Sequence, residues 1–246
     1  MNSSFDLFRI FNIRVRIHLS FFLLPLFLGV YYGWHYGVEI GVRAFCLVLL
    51  VFLCVIGHEL CHSLKAKSLG IEVPVITLYP MGGVASMMRI PREPWWEFWI
   101  SVVGPLFNFV LAAVLFLPLY WILGKESFLS PGLESWPRML ANVFWINPVL
   151  GAFNLIPAFP MDGGRILRSF LAVRMDYLKA TRISVYIGRI FAILFFLSGI
   201  YFKVWMLVLI AGFVYFAASK EEKQVIREDL WLKIQAERNK PDGPKD

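Results

Sequence analysis

Residues 43–67 read RAFCLVLLVFLCVIGHELCHSLKAK. From Ala44 to Ile56 every residue is apolar, and the hydrophobic run as a whole, Arg43 to Leu64, reaches the length of about 20 residues that a helix needs to cross a hydrocarbon core of about 30 Å. Its end carries His58, Glu59 and His62 in the pattern H-E-x-x-H. On a helix, positions i and i+4 differ by about 40° in azimuth, so both imidazoles share one face and can bind one zinc ion, with Glu59 beside them to polarise a bound water. Histidine and glutamate at membrane depth are costly, and metal ligation offsets that cost. Cys61 lies about 100° from His62 around the helix and is expected to pack rather than ligate.

The rest of the chain agrees with a lipid solvent. Of 246 residues, 59% are hydrophobic and only 17% charged, against about 45–50% and about 25% in soluble domains. Five further apolar runs join the first: residues 17–34, 97–123, 139–156, 183–202 and 204–219. The expected fold is therefore an all-α polytopic membrane protein of six transmembrane helices over residues 1–219, followed by a polar cytoplasmic tail at 220–246. In that tail Ile226, Leu230 and Ile234 recur every four residues, the spacing of a short amphipathic helix.

The net charge of +7 does not point to nucleic acid, because the basic clusters are diluted by acids and the aromatics sit inside apolar runs. It reads instead as topology. Alternate flanking segments hold 19 Lys and Arg on one side and 4 on the other. The positive-inside rule then puts both termini in the cytoplasm and the H-E-x-x-H end of its span near the inner face. Cys46, Cys54 and Cys61 share one apolar run, which suits small buried residues rather than a disulfide framework.

Two inner connections break the apolar pattern. IEVPVITLYPMGGVASMMRI, residues 71–90, is rich in β-formers and predicts short strands around a turn at Pro80–Gly83, a β-hairpin or re-entrant segment. NLIPAFPMDGGRI, residues 154–166, interrupts a run with two prolines and two glycines. Irregular backbone at membrane depth is tolerated where protein or a water-filled cavity surrounds it, so both breaks point to an internal cavity. A catalytic zinc usually takes three protein ligands, and no histidine follows His62. On the inner side Glu72, Glu93, Glu97, Asp162 and Asp176 could supply the third. Asp162 is favoured among them because it follows a descending span in a Pro/Gly-broken turn.

Three separated motifs carry a family resemblance: HELCH at 58–62, GPLFN at 104–108 and NLIPAFPMDGG at 154–164. Together they resemble the site-2 protease family of intramembrane zinc metalloproteases, and most closely its sporulation-type branch. The resemblance implies one zinc per chain, held by His58, His62 and Asp162, with Glu59 as general base. It implies a role for Asn154 at the substrate or its oxyanion, and a supporting role for Gly104 and Asn108 on the third span. No outer loop has room for a PDZ domain, and the tail is too short for the cystathionine-β-synthase-like pair that many relatives carry.

The implied activity is hydrolysis of a peptide bond in or near the transmembrane segment of a membrane-anchored protein, in a prokaryotic cell membrane, with a regulatory membrane protein as a further partner. A protease must hold its substrate extended, and the 71–88 segment with Gly82 and Gly83 is expected to offer a strand edge for it. Two other classes fit parts of the pattern. One is a membrane zinc protease acting on soluble peptides, with Glu93 or Glu97 as third ligand. The other is a non-enzymatic membrane metal carrier, which would need no base between the histidines.

Overall fold

The computed structural model describes residues 4–80, 82–86 and 92–238. The chain is mostly helical, with one small sheet. In order come β1 (Ser4–Ile10), β2 (Ile13–His18), a 3-10 turn (Leu19–Phe22), α1 (Leu23–Tyr36), α2 (Val38–Ser68), β3 (Val75–Tyr79), β4 (Gly82–Ser86) and α3 (Pro94–Leu123). After them come α4 (Lys125–Leu129), α5 (Trp136–Asn154), α6 (Asp162–Ala172), α7 (Tyr177–Tyr201) and α8 (Trp205–Arg238).

Each of the six apolar runs lies in or overlaps a helix, but among the described residues three helices are long and apolar enough to cross a membrane: α2, α3 and α7. The physical reasons for the others differ. Helix α1 has 14 residues, roughly 21 Å at 1.5 Å per residue, which is short of a hydrocarbon core. Helix α5 carries Arg138, Asn142 and Asn147, which dilute its apolar content. Helix α8 is long, but its apolar part gives way to the charged run Lys220–Lys223.

The sheet corrects the all-α expectation. Its strand order is β1-β2-β3-β4, with β1 and β3 antiparallel to β2 and β4 respectively and β2 parallel to β3. The hairpin around Pro80–Gly83 was expected, although Met81 and residues 87–90 of that stretch fall outside the described residues. The N-terminal hairpin was not. Residues 13–18, IRVRIH, alternate apolar and polar; Ile13, Val15 and Ile17 point inward and are buried. Ile10 pairs with Ile13 across a two-residue turn in which Phe11 and Asn12 both have positive φ, the geometry a tight hairpin demands. The first helix consequently starts at Leu23 rather than Ile17.

Two compact units divide the chain: Met1–Pro91 with Trp99–Asn154, and Arg92–Phe98 with Leu155–Asp246. In the first, Ile17, Phe21, Phe52 and Leu78 join β2, the 3-10 turn, α2 and β3 into one apolar cluster. A second cluster, Ala66, Ile71, Val73 and Ile100, ties the end of α2 and the chain after it to α3. The sheet thereby packs on the middle of α2, and β4 passes beside Glu59. In the second unit Phe159, Val185 and Ala218 pack together from the 154–162 connection, α7 and α8.

Candidate metal centre and its supports

His58 and His62 are both buried on α2, one turn apart, with their Nε2 atoms 3.0 Å from one another. The protonation of each ring follows from its other nitrogen. His62 Nδ1 lies 2.5 Å from the backbone oxygen of Ile100, which can only accept, so Nδ1 carries the hydrogen. For His58 the argument runs through two asparagines. Asn147 Nδ2 donates to the Val143 carbonyl at 2.7 Å, which turns its Oδ1 to accept from Asn108 Nδ2 at 2.8 Å. Asn108 Oδ1 therefore faces His58 Nδ1, 2.5 Å away, and accepts from it.

With both Nδ1 positions donating, a neutral pair turns two Nε2 lone pairs toward each other. Two acceptors at 3.0 Å repel one another, whereas a shared cation would be bound by both. This donor set suits zinc, and the Nδ1 hydrogen bonds are the kind that orient metal-binding histidines.

Room for an ion beside the rings comes from α3. A Cβ built on Gly104 would lie 2.2 Å from His62 Nε2 and 2.7 Å from His58 Nε2, so any side chain there would occupy the ring nitrogens' shared space. The close approach that only glycine permits was legible as a helix contact or a support; the structure makes it the wall of the candidate centre. Asn108, one helical turn on, is fully buried and supports His58 directly. Asn147 escaped the sequence reading. It is fully buried on α5 and also approaches Cys54 Sγ at 3.4 Å; an amide in an apolar run directly followed by Pro148 was the available signal.

Glu59, between the two histidines, lies beside β4. A Cβ on Gly83 would stand 2.6 Å from Glu59 Cγ, so Gly83 lets the strand backbone pass close to the carboxylate-bearing stem. Gly82 has φ of +134°, which starts the strand in a conformation suited to glycine. Strand β4 is an edge of the sheet, paired on one side to β3.

The second unit holds Asp162 as the first residue of α6. The two glycines after it have a packing reason. A Cβ on Gly163 would fall 2.3 Å from the carbonyl oxygens of both Leu155 and Ile156, and one on Gly164 would fall 2.7 Å from the Phe159 nitrogen. The first turn of α6 is thus seated directly on the backbone of the connection before it, which includes a cis Phe159–Pro160 bond. Asn154 ends α5 in the first unit and donates one amide hydrogen to the Leu150 carbonyl at 3.0 Å.

Three of the carboxylates considered as third ligands have other partners. Glu93 accepts from the backbone nitrogen of Trp96 at 2.7 Å and so caps α3. Asp176 caps α7 through Leu178 and Lys179. Glu97 is buried against Arg168, which donates to its Oε1 from both Nε and Nη2.

The family follows from comparison with known proteins. Residues 45–197 match the profile of peptidase family M50. The chain belongs to peptidase family M50, the site-2 proteases. A zinc metalloprotease of Methanocaldococcus jannaschii is 38% identical over 236 residues, 96% of this chain and 66% of that protein. Stage IV sporulation protein FB of Bacillus subtilis is 24% identical over 200 residues, 78% of this chain and 62% of that protein. The chain thus spans somewhat under two thirds of the length of these curated relatives. Among solved structures, the site-2 protease from Methanocaldococcus jannaschii superposes with a TM-score of 0.64 at 36% identity, covering 89% of this chain and 95% of that one. The M50 match includes HELCH, GPLFN and MDGG in one domain, so the chain carries the metalloprotease domain of this family.

Proposed function

We propose that this M50 protein is an intramembrane zinc metalloprotease that cleaves a membrane-anchored protein in or near its transmembrane segment. The observation that carries the reading is the facing Nε2 pair of His58 and His62, each fixed by its Nδ1 hydrogen bond and walled by Gly104. Two imidazoles and one carboxylate form the donor set of a catalytic zinc, and His58, His62 and Asp162 would supply it. One zinc ion held there supplies Lewis-acid polarisation and acidifies water.

The remaining steps belong to the protein. The Glu59 carboxylate takes a proton from the attacking water and passes it to the leaving amide nitrogen. A substrate strand pairs with the outer edge of β4, where Gly82 and Gly83 keep side chains out of the way and bring its backbone alongside Glu59. Asn154 has a second amide hydrogen besides the one given to Leu150, and donates it to the carbonyl oxygen under attack. Beyond the three long apolar helices α2, α3 and α7, α1 lengthened by the 3-10 turn Leu19–Phe22, the apolar part of α5 and the first part of α8 would complete six crossings with both termini cytoplasmic, a topology that fits the distribution of basic residues. The tail from 220 onward then lies on the cytoplasmic side, where a membrane-anchored regulator would also be met.

Co-expression with a panel of tagged membrane-anchored proteins tests this. A fragment is expected with the natural chain and none with Glu59→Gln, whose cleavage falls by a factor of about 10² to 10⁴ or more while its zinc content is unchanged. Full cleavage by the Gln variant would exclude Glu59 as the base. Zinc loss on changing Asp162→Ala separates this reading from one in which Glu93 or Glu97 is the ligand.

A further inference from the structure

Helix α6, which opens with Asp162, is held from behind by a buried ionic cluster. Arg168 is completely buried and lies six residues, about 9 Å of helix, beyond Asp162. Its Nε donates to Glu97 Oε1 at 2.9 Å, its Nη2 donates to the same oxygen, and its Nη1 donates to Glu221 Oε1 at 2.8 Å. The guanidinium also lies 4.9 Å from the ring centres of both Phe159 and Tyr177. One side chain therefore joins α6 to the start of α3, the start of α7 and α8. Burial opposes the charge on Arg168, but the neighbouring Glu97 and Glu221 carboxylates outweigh it and raise its pKa above the ordinary arginine value, so the guanidinium stays charged.

Glu221 sits in α8 beyond its apolar stretch and outside residues 45–197 that match the family. Nothing in the proposed chemistry uses it. A short helix seated in front on residues 155–159 and tied behind through Arg168 has little freedom to shift, and the position of its first residue follows from that seating. We infer that Arg168 and Glu221 are positioning residues for Asp162, so that the part of α8 beyond its apolar stretch sets how firmly this carboxylate is held. This rests on the reading of Asp162 as a zinc ligand.

The test is a double-mutant cycle on the full-length protein purified in detergent, with the zinc dissociation constant measured by competition against a chromogenic chelator. Glu221→Gln keeps the size of the side chain and weakens the tie. With Asp162 present it should raise the zinc dissociation constant about tenfold, as loss of support behind a ligand does. In an Asp162→Ala background the same change should have no further effect, and Glu221→Asp should recover binding to within about threefold of the natural chain. Equal losses with and without Asp162, or unchanged binding in Glu221→Gln, would overturn the inference while leaving the ligand reading standing. Unchanged zinc binding in Asp162→Ala alone would overturn the ligand reading and the inference with it. Should the Gln variant fail to fold, Glu221→Asp carries the same cycle with an expected shift of about threefold.

Discussion

Two buried polar networks lie in the two units, and they solve the cost of burial in different ways. Behind His58 the hydrogen bonds run through uncharged acceptors: imidazole to amide, amide to amide, amide to carbonyl. The chain of hydrogen bonds runs one way and leaves two ring nitrogens turned together beside a glycine. Around Arg168 the groups are charged, and the guanidinium's Nε and both terminal nitrogens end on carboxylates while aromatic rings cover its surface. The first network spends its hydrogen bonds on orienting two lone pairs; the second spends all three guanidinium nitrogens on carboxylates. A centre built to take up a cation needs the former, and an anchor needs the latter.

Breaking the anchor should have the largest effect. Arg168→Met strands Glu97 and Glu221 near one another without their cation, and a loss of about 3–5 kcal/mol in folding stability is expected from denaturation in detergent. Replacing Glu97 and Glu221 as well with apolar residues of similar size should recover much of that loss, because the stranded charges are then gone. A single Arg168 substitution without measurable destabilisation would mean the cluster is no anchor.

The histidine–asparagine network should respond in metal binding more than in stability. Gly104→Ala places a methyl against both Nε2 atoms, and zinc affinity is expected to fall about 100-fold, read by metal analysis after dialysis against a graded chelator. Asn108→Leu removes the acceptor from His58 Nδ1 and leaves both rings in place. Its expected cost is about tenfold in zinc affinity, a smaller effect because the ligand atom itself survives. Full zinc affinity in both variants would erase the distinction between the two networks.

How far the sequence carried these conclusions differs by region for physical reasons. H-E-x-x-H was legible because helical periodicity alone puts the two rings on one face, whereas a supporting role for Gly104 and Asn108 came from the resemblance of GPLFN to the family's third span. The N-terminal hairpin was lost because Arg14 and Arg16 were weighed as topological charge, while the alternation of IRVRIH around them is a two-residue period typical of a strand. Glu97 was considered as a ligand on the strength of its side of the membrane; its partner Arg168 is 71 residues away, and no local pattern announces such a pairing. Asn147 is similar: its role exists only through Asn108, 39 residues earlier. The glycines of MDGG were read as turn-formers, whereas α6 begins there and they are required for close packing on residues 155–159.

The claim that zinc sits between His58 and His62 with a carboxylate as third protein ligand is tested most directly by zinc K-edge X-ray absorption on the metal-loaded, full-length protein. Two imidazole nitrogens and oxygen donors, all at about 2.0–2.2 Å, are the predicted first shell. A sulfur scatterer at about 2.3 Å, which would bring Cys61 into the site, or a shell with a single imidazole, would contradict it.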